Sequence, residues 1–516
     1  MHHVSLSMEM TGQAYHAAQT PGILYVEVRL KDSASPGFRE EEIRAEVGSW
    51  IRRNHTEIKV GTRVQLGPPF ADVVDRVDIT GHSKSKEFPD ETFYALVESD
   101  LEVLVYSILS NDDGQSHDGG DEDEDTNTTS YHFDALELPN RAFDGLWESL
   151  VYDEPIGELT LRALTRAIQK GRSDPTIWRT GFWQNTVLFH GPPGSGKTTL
   201  AQALAQRLSI RLSNVFSVTR LLQINAHMLF SHLFGDTSKR IGKLFESISE
   251  MALDVCQLTI VVFDEVETVA GSREKATQKN EPGESIKATN EILRGLDKFR
   301  RYSNVIFVFT SNLIGSLDSA FVDRCCLEEE ICAPATDCVF DILRMEINGS
   351  IERGFIVSES MIYEGFSDLS GDSFSDTSSA FSRLPDASPQ LGSSHCQEAT
   401  LIPSWQWASS HWPSRATTAV SELYRIAMLA KGLSGRKLKG LVTHARYKYL
   451  VDEPAELRAV LVALEAVVRK QTRQRGEFME QETASEYSQT SREESVDMAK
   501  FLSDLEAGRN VDSMSG

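Results

Sequence analysis

Positive charge is scarce in this chain. Lys and Arg number 52 against 76 Asp and Glu, a formal net charge of -24 over 516 residues. Affinity for phosphate backbones or anionic membranes needs clustered cations, so the balance excludes direct nucleic-acid binding as the leading expectation. Long apolar runs are missing too. No stretch approaches the roughly 20 residues that span a bilayer. The opening Met1-His2-His3-Val4-Ser5 lacks a charged region followed by an apolar one. These absences predict a soluble intracellular protein with no membrane role. Cysteine is also sparse: six in a chain of this length make no disulfide framework. Cys325, Cys326, Cys332 and Cys338 lie near one another, yet no Cys-x-x-Cys pair points to zinc.

What is present is an apolar content of 40%, enough for well-buried cores, in a length that suits roughly two to four domains. Residues 1–20 are polar and read as disordered. At 23–30, Leu24, Val26, Val28 and Leu30 alternate with Tyr25, Glu27 and Arg29, which predicts a strand. Over 41–54, Ile43, Val47, Trp50 and Ile51 fall on one helical face. A further strand is expected at 101–109, so 21–110 reads as a small α+β N-terminal domain. The stretch 111–135 is an acidic linker. With Asp112, Asp113, Asp118 and the run 121–125, it has too little apolar surface to offset chain entropy.

From 136 to 335, brief apolar strands at 186–190, 259–263 and 304–310 alternate with helical patterns. That alternation predicts a three-layer α/β domain around a parallel sheet. Residues 336–470 read as a helical lid domain. It is interrupted at 357–414 by a Ser-, Asp-, Gly- and Pro-rich insertion that is expected to be disordered, apart from Trp405, Trp407 and Trp412 as docking candidates. The tail at 471–516 is polar and reads as disordered.

The chemistry begins at Gly191-Pro192-Pro193-Gly194-Ser195-Gly196-Lys197-Thr198, which fits the phosphate-loop pattern G-x-x-x-x-G-K-[ST] between an expected strand and an expected helix. Glycines let backbone N–H groups turn inward, the helix N-terminus adds partial positive charge, Lys197 supplies a full one, and the Thr198 hydroxyl suits Mg²⁺. Thr199 completes the nucleotide-binding stretch. At 259–265 a buried strand ends in Asp264 and Glu265, the Walker B arrangement: Asp264 to hold Mg²⁺ through its water shell, Glu265 as general base toward water. No Asn-Lys-x-Asp is found, which favours ATP over GTP.

Three further polar residues follow. Asn312, at the end of the 304–310 strand, is a candidate to touch both γ-phosphate and water; capping a helix is its alternative. Arg324, after Ser319-Ala320-Phe321-Val322-Asp323, is a candidate to reach a neighbouring subunit's ATP, against the alternative of pairing with local acids such as Glu328. Arg436, opening a helix after Gly432-Leu433-Ser434-Gly435, is a candidate lid arginine on the γ-phosphate, against a solvated first-turn role.

In this order the motifs resemble an AAA+ module. The segments Phe143-Asp144-Gly145-Leu146-Trp147, Leu222-Gln223-Ile224-Asn225-Ala226-His227, Phe263-Asp264-Glu265-Val266-Glu267, Phe321-Val322-Asp323-Arg324 and Gly432-Leu433-Ser434-Gly435-Arg436 resemble the pachytene checkpoint protein 2 family. The resemblance implies an AAA+ P-loop αβα domain with a helical lid, acting as a homo-hexameric ATPase with ATP and Mg²⁺. It implies HORMA-domain proteins as clients, taken directly or through a HORMA-like adaptor, and partly unfolded in meiotic chromosome-axis and spindle-checkpoint control. Nucleus and chromosomes, with the cytoplasm as a second location, follow from it alone. It places the first pore loop at Ser231-His232-Leu233-Phe234-Gly235, where Leu233 stands in place of an expected Trp beside Phe234. A second pore loop is expected at 271–285. The competing readings are another AAA+ unfoldase or assembly chaperone with a different client, a clamp loader, and a non-hydrolysing adaptor. The acidic balance disfavours the clamp loader. The presence of Lys197, Asp264 and Glu265 disfavours the adaptor.

Overall fold

The computed structural model describes residues 22–31, 39–67, 72–85, 92–110, 134–174, 176, 185–229, 237–272, 282–357, 401–406, 408, 418–451 and 453–474. The N-terminal 1–20, most of the acidic linker, most of the insertion and most of the tail lie outside the described residues. Contacts divide the chain into two compact units. One holds the described residues up to Trp147 with Glu154–His190 and Lys197–Glu330. The other holds Glu148–Asp153, Gly191–Gly196 and the described residues from Ile331 on.

The first unit begins with six strands: β1 (Gly22–Leu30), β2 (Glu57–Lys59), β3 (Arg63–Val64), β4 (Val74–His82), β5 (Phe93–Ala95) and β6 (Ser99–Tyr106). Four of them form a sheet in the order β3-β4-β1-β6, with β1 antiparallel to β4 and parallel to β6. Leu24, Val26 and Val28 alternate onto the face covered by Ile43, Val47 and Ile51 of helix Glu40–Asn54, as their spacing predicts. The opposite face of β1 is covered too. Glu27 is only 2% exposed. Its carboxylate accepts from Arg207, from Arg211 Nη2 at 3.5 Å and from Thr80 Oγ1 at 2.9 Å. The Arg211 guanidinium lies 3.9 Å from the centroid of the Tyr25 ring.

Both arginines belong to helix Lys197–Arg211, so this polar cluster ties the N-terminal sheet to the next layer. That layer adds β7 (Asp134–Leu138), β8 (Thr186–His190), β9 (Val218–Asn225), β10 (Gln257–Asp264), β11 (Val305–Ser311) and β12 (Leu327–Glu330), ordered β12-β8-β11-β10-β9-β7. All pair in parallel except the edge strand β7. β8 and β11 are buried at every position, because helices cover both faces and leave no solvated side for alternation. Phe245, Phe263, Phe299, Phe307, Phe309 and Phe321 fill the core on one side. The result is the three-layer α/β fold that the strand–helix alternation predicts. The sequence reading missed β7, β9 and β12. β12 is Leu-Glu-Glu-Glu, and β9 carries Arg220 and Gln223, so neither shows an apolar run.

In the second unit, helices Thr336–Glu352, Ala419–Leu429, Gly435–Tyr449 and 457–474 share one core that includes Phe340, Leu343, Leu423, Leu438, Leu441 and Leu461. Short strands β13 (Ile356–Val357) and β14 (Ala455–Glu456) pair beside it. The insertion expected to be disordered over 357–414 is corrected at both ends. Val357 is in a strand, and the described residues 401–406 and 408 include packed ones, while Trp407 and Trp412 lie outside the described residues. Ile402 is 1% exposed and exchanges two 2.9 Å hydrogen bonds with the Asn348 side-chain amide. Trp405 stacks on Tyr424 with centroids 3.7 Å apart. Apolar anchors outweigh the local Ser and Pro content there.

Removing one partner of a buried ion pair leaves the other charge uncompensated. Glu27→Ala should therefore cost about 3 kcal/mol, read as a lower denaturation midpoint, whereas Glu98→Ala, exposed on the same domain, should leave it unchanged.

Candidate nucleotide site

β8 delivers the chain into Gly191–Gly196, and helix Lys197–Arg211 carries it away. Gly191, Gly194 and Gly196 hold φ of 137, 77 and 102°, a region other L-residues seldom enter. Space forbids a side chain as well. A Cβ on Gly191 would sit 2.3 Å from the Ile331 carbonyl oxygen, and one on Gly194 would sit 3.0 Å from Ser434 Oγ. The loop is thus a backbone-lined cradle.

Within the second unit the Arg436 N–H donates to the Gly194 carbonyl at 3.1 Å. The structure so brings Arg436 to the phosphate loop by its backbone, while its side chain is exposed. Tyr152 donates to the Gly196 carbonyl at 3.3 Å. Burial pushes its phenol up from the usual range, which keeps the donor proton in place. Ser195 Oγ is buried and makes no hydrogen bond. An orphaned hydroxyl beside inward-turned glycine amides fits a phosphate oxygen. Pro192 and Pro193 are exposed.

In the first unit Lys197 is 6% exposed at the helix start. Thr198 Oγ1 donates to Asp264 Oδ1 at 2.7 Å, and Thr199 follows half-buried. Mg²⁺ takes hard oxygen donors, from side chains directly or through the waters it keeps. The all-oxygen pair at the end of β10 therefore fits that ion.

Glu265 has φ 56° and ψ 49°. Among the described residues it alone, glycine apart, has positive φ. Such a conformation costs about 1–3 kcal/mol and persists only where surroundings enforce it. Thr310 does so here. Its Oγ1 accepts the Glu265 N–H at 3.2 Å and donates to Asp264 Oδ1. The register Phe263↔Phe309 places Thr310 opposite the end of β10. Two residues on, the Asn312 N–H donates to Glu267 Oε1 at 3.0 Å. Thr198, Asp264, Glu265 and Thr310 thus meet at the carboxyl edge of the sheet, where open α/β sheets hold ligands, and the Asn312 backbone is tied to Glu267 beyond them. Thr310 and Glu267 were missed by the sequence reading. A threonine ending one strand, level with a carboxylate ending the next, is the signal that could have found Thr310.

Arg324 sits apart from this group in its contacts. Its Nε and Nη2 donate to Asp297 Oδ1 and Oδ2, each at 3.0 Å, and Nη1 donates to the Ala320 carbonyl at 2.8 Å. Its acidic partner is Asp297 on helix Pro282–Phe299, not Glu328, which lies 3.4 Å from His190 Nε2. The pore-loop residues Leu233 and Phe234, and 273–281 of the second loop, lie outside the described residues.

Residues 187–333 match the family model AAA, the ATPase family associated with various cellular activities, and residues 19–111 match that of the TRIP13 N-terminal domain. The chain is 32% identical to the human pachytene checkpoint protein 2 homolog over 63% of its own length and 73% of the human protein. It is 37% identical to the homolog of Oryza sativa subsp. indica over 49% of its length, and spans about half (52%) of that relative. The solved structure of C. elegans PCH-2 is similar in fold, with TM-score 0.60 at 22% identity, covering 87% of this chain and 98% of that one.

Thr310→Val keeps volume but removes the hydroxyl shared by Asp264 and Glu265. A hydrogen bond to a charged group contributes about 1.5–3 kcal/mol, so kcat for ATP should fall about 10- to 100-fold, with nucleotide affinity retained in an equilibrium binding assay.

Proposed function

Because this chain belongs to the pachytene checkpoint protein 2 family of AAA ATPases, we propose that it hydrolyses ATP in a ring hexamer and uses that work to partly unfold a HORMA-domain client. The client is taken directly or through a HORMA-like adaptor. The activity serves meiotic chromosome-axis and recombination-checkpoint control and the spindle checkpoint, in the nucleus on chromosomes and in the cytoplasm. The observation that carries the reading is the convergence of Thr198, Asp264, Glu265 and Thr310 at one sheet edge.

Thr198 and Asp264 would hold Mg²⁺, which would offset phosphate charge when bound with ATP. The amides of Gly191–Gly196 and the Lys197 ammonium bind the phosphates. Glu265, fixed by its backbone N–H, orients a water and accepts its proton. Asn312 orients the same water from the neighbouring strand. Arg324 acts on the nucleotide of the adjoining subunit, and Arg436 couples phosphate state to the helix it opens. The 21–110 domain captures client or adaptor, and Leu233 and Phe234 grip the threaded segment. Local opening of a client costs less than its whole stability of roughly 5–15 kcal/mol, which is within reach of repeated ATP cycles.

Glu265→Gln should bind ATP with near-native affinity, lose at least about 100-fold in turnover, and hold a HORMA-domain protein in a complex stable to gel filtration. Native turnover in that variant would remove Glu265 as base. Wild-type ATPase that is robust, yet indifferent to added HORMA-domain protein and adaptor, would keep the motor and withdraw the client.

A further inference from the structure

The geometry points to Asp297 as a positioning residue for Arg324: it fixes the guanidinium on the surface of one subunit, ready for the nucleotide of the next. The inference rests on the trans-acting reading of Arg324 given above and names the group on which that action depends.

Arginine is long, with a rotamer freedom that must be given up whenever its head engages a phosphate. Here the head is already ordered. Asp297 grips it bidentately through Nε and Nη2, at 3.0 Å each, and the Ala320 carbonyl holds Nη1 at 2.8 Å. Three bonds from two elements, helix Pro282–Phe299 and helix Ser319–Val322, define the guanidinium plane. Asp297 uses the Nε–Nη2 edge.

Burial does not explain the pair. The Asp297 side chain is 44% exposed and that of Arg324 is 25% exposed, and ion pairs this exposed add little to stability. Arg300 Nε lies 3.8 Å from Asp297 Oδ1, the oxygen that accepts from Arg324 Nε, so the carboxylate that holds Arg324 in place faces a second cation. Hydrogen bonding to Asp297 also raises the already high pKa of Arg324, with burial opposing.

The test is steady-state ATPase of the full-length assembled protein carrying Arg324→Ala, Asp297→Asn, or both. Asn keeps the shape of the carboxylate but replaces one acceptor oxygen with a donor. Arg324→Ala should lower kcat about 1,000-fold. Asp297→Asn should lower kcat about tenfold, the equivalent of one charge-assisted hydrogen bond, with KM for ATP and melting temperature unchanged. Added to Arg324→Ala, Asp297→Asn should do nothing more, since it acts only through that side chain. A kcat at or above wild type in Asp297→Asn would overturn the proposal, because Asp297 would then restrain Arg324. So would a further loss in the double variant or a lowered melting temperature. Wild-type kcat in Arg324→Ala would instead overturn the trans-arginine reading beneath it.

Discussion

A single oxygen, Oδ1 of Asp264, accepts hydroxyl hydrogen bonds from both Thr198 and Thr310. Those hydroxyls belong to the helix after the phosphate loop and to the strand beside β10, so one carboxylate joins three elements at the edge of the sheet. The arrangement depends on the parallel order β8-β11-β10, which puts every relevant strand end on the same side. Glu265 inherits its place from this junction. Its left-handed backbone is held by the same Thr310 hydroxyl that Asp264 engages.

The phosphate loop shows a complementary economy. Its positions are set by what cannot be there: no Cβ fits at Gly191 against the Ile331 carbonyl. The loop also packs with residues far along the chain, Tyr152 on one side and Ser434 to Arg436 on the other. Arg436 meets the loop through its amide, a bond that no side-chain substitution other than proline removes. The identity of its side chain is therefore separable from the seating of the helix it begins.

Much of this was legible in the residues. The strand and helix about the phosphate loop follow from Thr186–His190 and the glycine pattern, and β10 from an unbroken apolar run closed by two acids. Edge strands were not legible, since β12 is mostly glutamate and β7 is short. Nor was the partner of Arg324. Glu328 stands four residues from Arg324 in sequence and Asp297 stands 27 away, and only the helix geometry selects the more distant acid. The Glu27 cluster was hidden for a related reason. A charged residue in an alternating strand reads as the solvated face, and its burial depends on arginines about 180 residues away. The anchoring of Trp405 and Ile402 likewise needs the lid core, which local composition does not reveal.

Helix Lys197–Arg211 has 15 residues, about 22 Å of rigid rod at 1.5 Å per residue. At its first turn stand Lys197 and Thr198, and at its last stand Arg207 and Arg211, clasping Glu27 of the N-terminal sheet. In mechanical terms it is a connecting rod with a bearing at either end. It contains neither proline nor glycine, the usual causes of a kink. A tilt imposed at the phosphate end is therefore transmitted as displacement of the other end, and a load on the N-terminal sheet returns along the same axis.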